Sequence, residues 1–337
     1  MSVCDDLSDN LPVITVNILL NSPSLGFFGL PLTMRKILTL IAVSSAVLSF
    51  LSLSPITAQA DPAQTVVLID SGVNDALFAK NIVYEACFIE YTTCSNGKNS
   101  MEGPGAAQQV KSTNMEVNHG EQMFSIMLKV NPNIKVIPIK IMGVTAAGNP
   151  MIYSLASVKS SLDWVVANRA KFNIGLVNIS QGKVFANCAV PAGLAADINT
   201  LQANNVEVVA STGNDSNRTA MFSPACLSNV ISVGATDNPW GGSQGYTWDP
   251  KAKPYIARYS NGTAATTLYS NARYMVTNLD GSTKFMVGTS NATAAVTGWL
   301  SLQPNTSWAS TVQGLISAAS GTATNEWLTG KYLFINS

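Results

Sequence analysis

The sequence predicts a single α/β domain in which a doubly wound, mostly parallel β-sheet carries helices on both faces. Two observations lead to this fold class. Short apolar and β-branched runs recur along residues 65–235, as expected of strands that are buried on both faces. Segments with helical apolar periodicity separate several of these runs, and such alternation is typical of a parallel sheet covered by helices. No internal repeat or low-complexity linker interrupts residues 61–337, so one domain is the simplest organisation.

The composition is that of a globular protein with no charge preference for a partner. The chain has 337 residues, 47% hydrophobic and 11% charged, and its 19 basic residues balance 19 acidic ones. This apolar content excludes a disordered chain, and the balanced charge predicts no nucleic-acid partner. The chain has one histidine, His119, so any histidine chemistry depends on that residue.

The first 60 residues resemble a targeting segment rather than part of the domain. The letters MRK at 34–36 precede an apolar run that ends in AQA at 58–60, which is the pattern of a secretory signal peptide. Five serines interrupt the run, which favours cleavage over a membrane anchor of about 20 apolar residues. We expect residues 34–60 to be removed, with the mature chain starting at or near Asp61. Residues 1–33 are expected to be a misassigned start or an unstructured extension, and the protein to be secreted or periplasmic.

The cysteines predict disulfide bonds. Four of them lie beyond the expected cleavage site: Cys87, Cys94, Cys188 and Cys226. An even number of cysteines in an exported chain is typical of a disulfide framework. Closeness in sequence favours a Cys87–Cys94 bond, which would leave the other two to pair, although four cysteines allow three pairings. A zinc site is less favoured, because the chain has neither a C-x-x-C pair nor a second histidine.

The apolar pattern places the elements in chain order. Residues 65–69 predict a buried strand that ends at Asp70, and the carboxyl end of such a strand is where α/β proteins place active-site groups. Residues 85–118 resemble a loop, and His119 is expected in the first turn of the helix that follows, since apolar residues recur at 123, 124, 127 and 128. Residues 134–142 predict a strand in which Pro138 breaks the pairing. The later elements are a helix at 151–172, a strand at 174–180, a helix at 191–204, and strands at 206–210 and 230–235.

A final helix is predicted behind the sequence Gly288-Thr289-Ser290. Small residues follow the serine, and they allow a helix to start at once and pack tightly. The hydroxyl would then lie at a helix N-terminus, where backbone N–H groups and the helix dipole favour negative charge. A nucleophilic serine whose reaction passes through an oxyanion needs that environment. Alone, the stretch is equally compatible with a Gly/Ser loop that enters a buried helix.

Four polar motifs now stand at strand ends or helix starts, in the order Asp, His, Asn, Ser. They are Asp70-Ser71-Gly72, His119-Gly120, Ser211-Thr212-Gly213-Asn214 and Gly288-Thr289-Ser290. In this order they closely resemble the subtilases, the subtilisin-like serine proteases, and the resemblance runs over about residues 65–302. The stretches at 223–225, 230–235 and 256–262 also match the family.

The resemblance implies a catalytic role for four residues. Ser290 would be the nucleophile, His119 its general base and then acid, and Asp70 the group that orients the histidine. The side-chain amide of Asn214 and the backbone N–H of Ser290 would hold the tetrahedral oxyanion.

The resemblance also implies a polypeptide substrate and the segments that bind it. The backbone of Ser180, Gln181 and Gly182 would pair with an extended peptide. The residues Ser211, Thr212 and Gly213 would form a wall of the pocket for the residue before the cleaved bond. We expect a monomer without a cofactor; the family often binds calcium, but no carboxylate cluster in the sequence identifies a site.

Three departures from the family pattern bear on activity. The usual His-Gly-Thr-His becomes His119-Gly120-Glu121-Gln122, and Ala294 stands where a proline is usual in the serine helix. Glu121 is expected to raise the basicity of His119 or to change substrate preference. The third departure is that only residues 61–64 separate the expected signal peptide from the first strand, which leaves no room for the pro-segment that subtilases commonly carry.

The leading hypothesis is an exported serine endopeptidase, and the alternative is a weak or inactive subtilase-like protein that binds peptides. An α/β-hydrolase does not fit, because the second glycine of G-x-S-x-G is missing and Asp precedes His.

Overall fold

The computed structural model describes residues 64–112, 114–145, 149–150, 154–237 and 254–335. The expectations for the extension, the signal peptide and the cleavage site at residues 1–61 lie outside these ranges. None of the helices within the described ranges is long and apolar enough to cross a membrane.

Helices and strands alternate through the first two thirds of the described chain, and short strands dominate the rest. In chain order the elements are β1 (Thr65–Asp70), α1 (Asp75–Phe78), β2 (Ala86–Phe88), β3 (Ser100–Glu102), α2 (Met115–Val130), β4 (Lys135–Lys140), α3 (Leu155–Asn168), β5 (Ile174–Ile179), α4 (Leu194–Gln202), β6 (Glu207–Ser211), β7 (Ile231–Asp237), β8 (Tyr255–Ile256), β9 (Leu268–Asn271), β10 (Tyr274–Thr277), β11 (Thr283–Met286), α5 (Thr289–Leu300), α6 (Trp308–Ala318), β12 (Gly321–Thr324) and β13 (Thr329–Leu333).

A parallel sheet forms the centre of the domain, with the strand order β4-β1-β5-β6-β7. Strands β2 and β3 extend it at one edge, and β8, β12, β13 and β9 extend it at the other, partly through antiparallel pairs. The chain leaves β1 for β4 on one side and later returns to pair β5 on the other side. The carboxyl ends of β1, β5 and β6 are therefore neighbours at this reversal of strand order, where open α/β sheets bind ligands.

Helices cover both faces of this sheet. One apolar core lies under α2 and α5 and contains Phe124, Ala292 and Val66; the other lies under α3 and α4 and contains Leu162, Ile198 and Val67. Val66 and Val67 are adjacent in β1 and contribute to opposite cores, because successive strand side chains point to opposite faces. The predicted fold class, a mostly parallel sheet with helices on both faces, is confirmed.

Three predictions about local structure were wrong. Pro138 does not break β4, which pairs with β1 in continuous register through Leu68 and Pro138. The N–H of Ile141 faces β1 and that of Val136 faces away from it. Because the N–H groups of successive strand residues point to alternate sides, the missing N–H of Pro138 also faces away from β1. The pairing of β4 with β1 therefore loses no hydrogen bond.

The helix that carries His119 starts four residues earlier than predicted, at Met115, so His119 lies in its second turn. Asn114 caps it by accepting hydrogen bonds from the N–H groups of Glu116 and Val117, which is the usual role of Asn at this position. The predicted loop at 85–118 also contains the short strands β2 and β3. Both expected disulfides are present, Cys87–Cys94 and Cys188–Cys226.

Candidate active site

Asp70 and His119 form a hydrogen-bonded pair at the carboxyl end of β1. The Nδ1 atom of His119 lies 2.8 Å from Oδ1 of Asp70 and 3.0 Å from Oδ2. Asp70 is 1% exposed, and its Oδ1 also accepts hydrogen bonds from the backbone N–H of Ser71 (2.7 Å) and from Nε2 of Gln181 (3.1 Å). Several donors thus compensate for the burial of this carboxylate. Because Nδ1 is the atom bound to Asp70, Nε2 of the imidazole is left for other chemistry.

Small residues allow α2 to approach the end of β1 closely. A methyl group on Gly120 would collide with the carbonyl oxygen of Gly72. The hydroxyl of Ser71 links the two segments, accepting from the N–H of Gly120 (2.8 Å) and donating to the carbonyl of Val117 (3.0 Å). The His119-Gly120 pair is therefore explained locally, since the glycine sets the distance at which the histidine reaches Asp70.

The electrostatic surroundings favour the protonated form of His119. Burial lowers the pKa of the imidazole, but the charge and hydrogen bond of Asp70, with a smaller contribution from Glu116, more than offset it and raise the pKa above 6.5. A carboxylate that stabilises an imidazolium is what a general base requires when it takes up a proton.

Glu121 is not among the groups that raise the pKa of His119, contrary to the first of the two expectations; a change of substrate preference stays a prediction. Its side chain is fully buried, and Oε2 accepts a hydrogen bond from the backbone N–H of Asn74 (2.8 Å). Burial raises the pKa of this carboxyl to about 8, against the effect of the Asn74 bond. The carboxylates that raise the pKa of His119 are Asp70 and Glu116, so the unusual Glu121 serves the packing of α2 against the segment after β1.

Ser290 is the second residue of α5 and is 6% exposed. Its hydroxyl donates to the backbone carbonyl of Ser180, at 3.1 Å. Within the described residues it forms no hydrogen bond with His119. Gln181, the residue after Ser180, contacts the Asp70–His119 pair. Its Nε2 lies 3.0 Å from Nδ1 of His119 and 3.1 Å from Oδ1 of Asp70. Two adjacent residues after β5 therefore connect the serine to the Asp–His pair.

A buried polar chain supports the backbone at Ser290. Thr297 donates to Oδ1 of Asn178 (2.9 Å), Asn178 donates to the hydroxyl of Ser180 (2.9 Å), and that hydroxyl donates to the carbonyl of Ser290 (3.4 Å). Each of the three side chains is at most 4% exposed. Ala294, in the position where a proline was expected, is fully buried in the same helix, so α5 is positioned by packing and by this chain of hydrogen bonds.

Asn214 follows β6 and lies beside the start of α5. Its Oδ1 accepts from the backbone N–H and from the hydroxyl of Thr289, both at 3.0 Å. Because a backbone N–H can only donate, these contacts fix which side of the amide is oxygen, and the NH₂ group takes the other side. The residue is exposed, so its NH₂ group is an accessible donor. The contacts described above bring the sequence-predicted residues together at one edge of the sheet: Asp70, His119, Asn214 and Ser290.

The predicted substrate segments also end at this edge, with different roles for their side chains. Ser180, Ser211 and Thr212 are buried, and two of their backbone carbonyls are engaged within the protein, that of Ser180 by the Ser290 hydroxyl and that of Thr212 by the N–H of Phe222. Their contact with a peptide stays a prediction. Gln181 points to Asp70 and His119, which the sequence did not indicate. The side chain of Phe222 lies against both Gly182 and Gly213, and it too was missed, although it directly precedes the recognised stretch at 223–225.

No group of three or more His, Cys, Asp or Glu side chains that could hold a metal ion is found in the described part of the chain. A calcium site therefore remains without assigned ligands.

Comparison with known structures identifies the same fold in proteases. The structure is similar to a cold-adapted subtilisin-like serine proteinase, with a TM-score of 0.58 and 19% identity over 81% of this chain and 89% of the other. It is similar to the S41 psychrophilic protease, with a TM-score of 0.63 and 15% identity over 81% and 91% of the two chains. It is also similar to sphericase, with a TM-score of 0.61 and 16% identity over 81% and 92%. At these identities the likeness concerns the fold.

The sequence itself provides the family. The model of the subtilase family matches residues 61–330, which is most of the chain and includes the four polar motifs and the sheet edge at which they meet. This chain belongs to the subtilase family of serine-type peptidases.

Proposed function

We propose that this protein is an exported, monomeric serine endopeptidase that hydrolyses peptide bonds through an acyl-enzyme. In this proposal Ser290 is the nucleophile, His119 the general base and acid, Asp70 the group that orients His119, and Asn214 the oxyanion donor. The observation that carries the proposal is the junction at Ser180 and Gln181, because one residue binds the Ser290 hydroxyl and the next binds the Asp70–His119 pair.

The first chemical step forms the acyl-enzyme. The Ser290 hydroxyl leaves the Ser180 carbonyl and turns to Nε2 of His119, which takes its proton as Oγ bonds to the peptide carbonyl carbon. Negative charge collects on the carbonyl oxygen, where the amide of Asn214 and the N–H of Ser290 donate hydrogen bonds. His119 then gives its proton to the departing amine, and the C–N bond breaks.

The second step reverses these roles with water. His119 takes a proton from a water molecule that attacks the ester carbon, and it returns the proton to Oγ as the acid product leaves. Asp70 stays ionised throughout and stabilises the imidazolium twice per cycle, which agrees with the raised pKa of His119.

A fluorophosphonate probe tests whether the serine is live. We expect the protein expressed from the full-length gene, and purified after export by its host, to be labelled at Ser290 and to cleave an unfolded protein. The Ser290→Ala variant should show neither, and the control Ser310→Ala, an exposed serine of α6, should behave as wild type. A folded wild type that takes no label would instead favour the peptide-binding alternative.

Export has its own test. Two disulfides in the domain are typical of an oxidising compartment. Cell fractionation should recover the protein outside the cytoplasm, and N-terminal sequencing should give a start at or near Asp61. Cytoplasmic recovery with an intact N-terminus would refute this part of the proposal.

A further inference from the structure

A phenylalanine lies between the two segments that the proposed function assigns to the substrate. A methyl group placed on Gly182 would lie 2.8 Å from Cβ of Phe222 and 3.1 Å from its Cδ2. A methyl group placed on Gly213 would lie 2.5 Å from both Cδ1 and Cε1 of the same ring. Opposite edges of the ring therefore contact the two glycines, and the width of the space between these segments is the width of this ring.

The backbone holds Phe222 in this position. Its N–H donates to the carbonyl of Thr212 (2.9 Å), and the N–H of Ser223 donates to the carbonyl of Lys183 (2.9 Å). The segment is thus hydrogen-bonded to both walls of the space, one bond to each. A disulfide links Cys226, one turn later, to Cys188 beyond the Gly182 wall. Movement of the ring out of the space would require a change of its side-chain rotamer against both glycines.

The two glycines that contact the ring are close in the chain to residues of the proposed site. Gly213 directly precedes Asn214, and Gly182 is two residues from Ser180, whose carbonyl binds the Ser290 hydroxyl. An acyl chain on Ser290 would place the side chain of the residue before the cleaved bond between these two walls. A large side chain would have to displace the ring, and filling an occupied space beyond its volume is destabilising.

From these contacts we infer that Phe222 sets the specificity of this peptidase and limits the residue before the cleaved bond to glycine, alanine or serine. The inference rests on the proposed function and names its substrate class. Phe222 acts by excluding larger side chains, and it takes no part in the chemistry at Ser290.

Peptidyl diphenyl phosphonates that carry an alanine-like or a phenylalanine-like side chain test this inference. The serine oxygen displaces phenol from phosphorus, so the rate of labelling reports how well each side chain fits beside Ser290. For the wild type we expect the alanine probe to react about 100-fold faster than the phenylalanine probe. Phe222→Ala should reduce this ratio at least about 10-fold, mainly by speeding the phenylalanine probe. Phe222→Leu, which keeps most of the volume and covers the case of an unfolded alanine variant, should fall between the two.

The matched control is Phe185→Ala, which removes an exposed ring beyond Gly182 and should leave the ratio unchanged. A wild type that reacts equally with both probes, or faster with the phenylalanine probe, would overturn the inference. So would labelling by a fluorophosphonate but by neither peptidyl probe, since the space would then accept no residue. Failure of the fluorophosphonate itself would instead refute the proposed function, so the two failures are distinguishable.

Discussion

The acid–base half and the nucleophile half of the candidate site differ in how completely they are assembled. In the acid–base half, His119 is bound to a buried carboxylate that also holds a backbone N–H and the Gln181 amide. In the nucleophile half, the Ser290 hydroxyl binds the carbonyl of Ser180, and Asn214 is exposed. Among the residues that the structure describes, the hydrogen bonds of its side chain are those that its oxygen accepts from Thr289.

The two halves differ in how much their rearrangement during a reaction would add to the activation barrier. Orienting a charged pair requires donors and dipoles that are in place beforehand, because their reorganisation would add to the barrier. Turning a hydroxyl about one bond costs little, and hydrogen bonds at catalytic serines are often long or misaligned without substrate. The structure therefore agrees with a site whose electrostatics are set in advance and whose nucleophile engages when the peptide arrives.

The largest effect is expected from breaking the acid–base half. Asp70→Asn removes the charge that orients His119 and raises its pKa, so kcat should fall about 10⁴-fold with KM nearly unchanged. Steady-state cleavage of an alanine peptide measures it, with Asp163→Asn on the surface of α3 as the control. A loss below tenfold would mean that Asp70 has a structural role only.

Breaking the nucleophile half at the oxyanion donor should cost less. Asn214→Ala is expected to lower kcat about 10²–10³-fold, since one of the donors to the developing charge is lost while the ground-state complex is not affected. Single-turnover kinetics of acylation measure this step. A rise in KM with an unchanged kcat would instead indicate that Asn214 binds substrate.

The contact between the halves should have a smaller effect. Gln181→Ala removes an amide from the Asp70–His119 pair, and we expect kcat/KM to fall roughly tenfold. Gln181→Glu should in addition move the acid limb of the pH profile to higher pH, because a second carboxylate beside His119 raises its pKa. Both variants lowering kcat/KM with unchanged pH profiles would indicate a purely structural residue.

Glu121, on the helix that carries His119, is expected to affect the pH dependence of the free energy of unfolding. Its pKa in the folded state is about 8, above the unfolded value of about 4.3, so the folded state holds a proton that the unfolded state releases. Stability from this group falls as the pH rises from about 5 to 8. We expect the free energy of unfolding of Glu121→Gln to decrease by roughly 1–3 kcal/mol less than that of the wild type between pH 5 and 8. Urea unfolding at several pH values measures this difference. Parallel curves for the two proteins would contradict the buried, protonated state.

The smallest effect on activity is expected from Glu116, an exposed residue on the helix of His119. Glu116→Gln removes a minor contribution that raises the pKa of His119. In the proposed mechanism activity depends on neutral imidazole, so it would be lost as the pH falls through this pKa, and the variant should move the acid limb down by a few tenths of a pH unit. The side chain is exposed, so added salt should abolish the difference. A shift that persists at 1 M salt would point to a direct contact.

The sequence predicted the parts of the fold that depend on local pattern. Buried apolar runs identified the central strands, and the small residues after Ser290 identified α5. Boundaries failed where a cap decided them, as at Asn114, and Pro138 was misjudged because the direction of its missing N–H depends on which strands are neighbours. Glu121 was misjudged for a related reason, since sequence proximity to His119 does not give the direction of a side chain on a helix.

The candidate site divides in the same way. Asp70, His119, Asn214 and Ser290 could be predicted because each stands in a recognisable motif, and their catalytic roles stay predictions. The side chain of Gln181 contacts Asp70, 111 residues earlier in the chain, and that of Phe222 contacts Gly182, 40 residues earlier. No local pattern predicts such contacts.

The Cys188–Cys226 bond has a consequence for where this protein works. It closes 38 residues of chain and ties the segment of Phe222 to the segment beyond Gly182, and both cysteines are half-buried residues. Reduction would leave the Asp70–His119 pair and Ser290 untouched, since neither depends on this bond. Mild dithiothreitol should therefore broaden the set of sequences that are cut before turnover on alanine peptides declines, so the redox state of the surroundings would control fidelity ahead of rate.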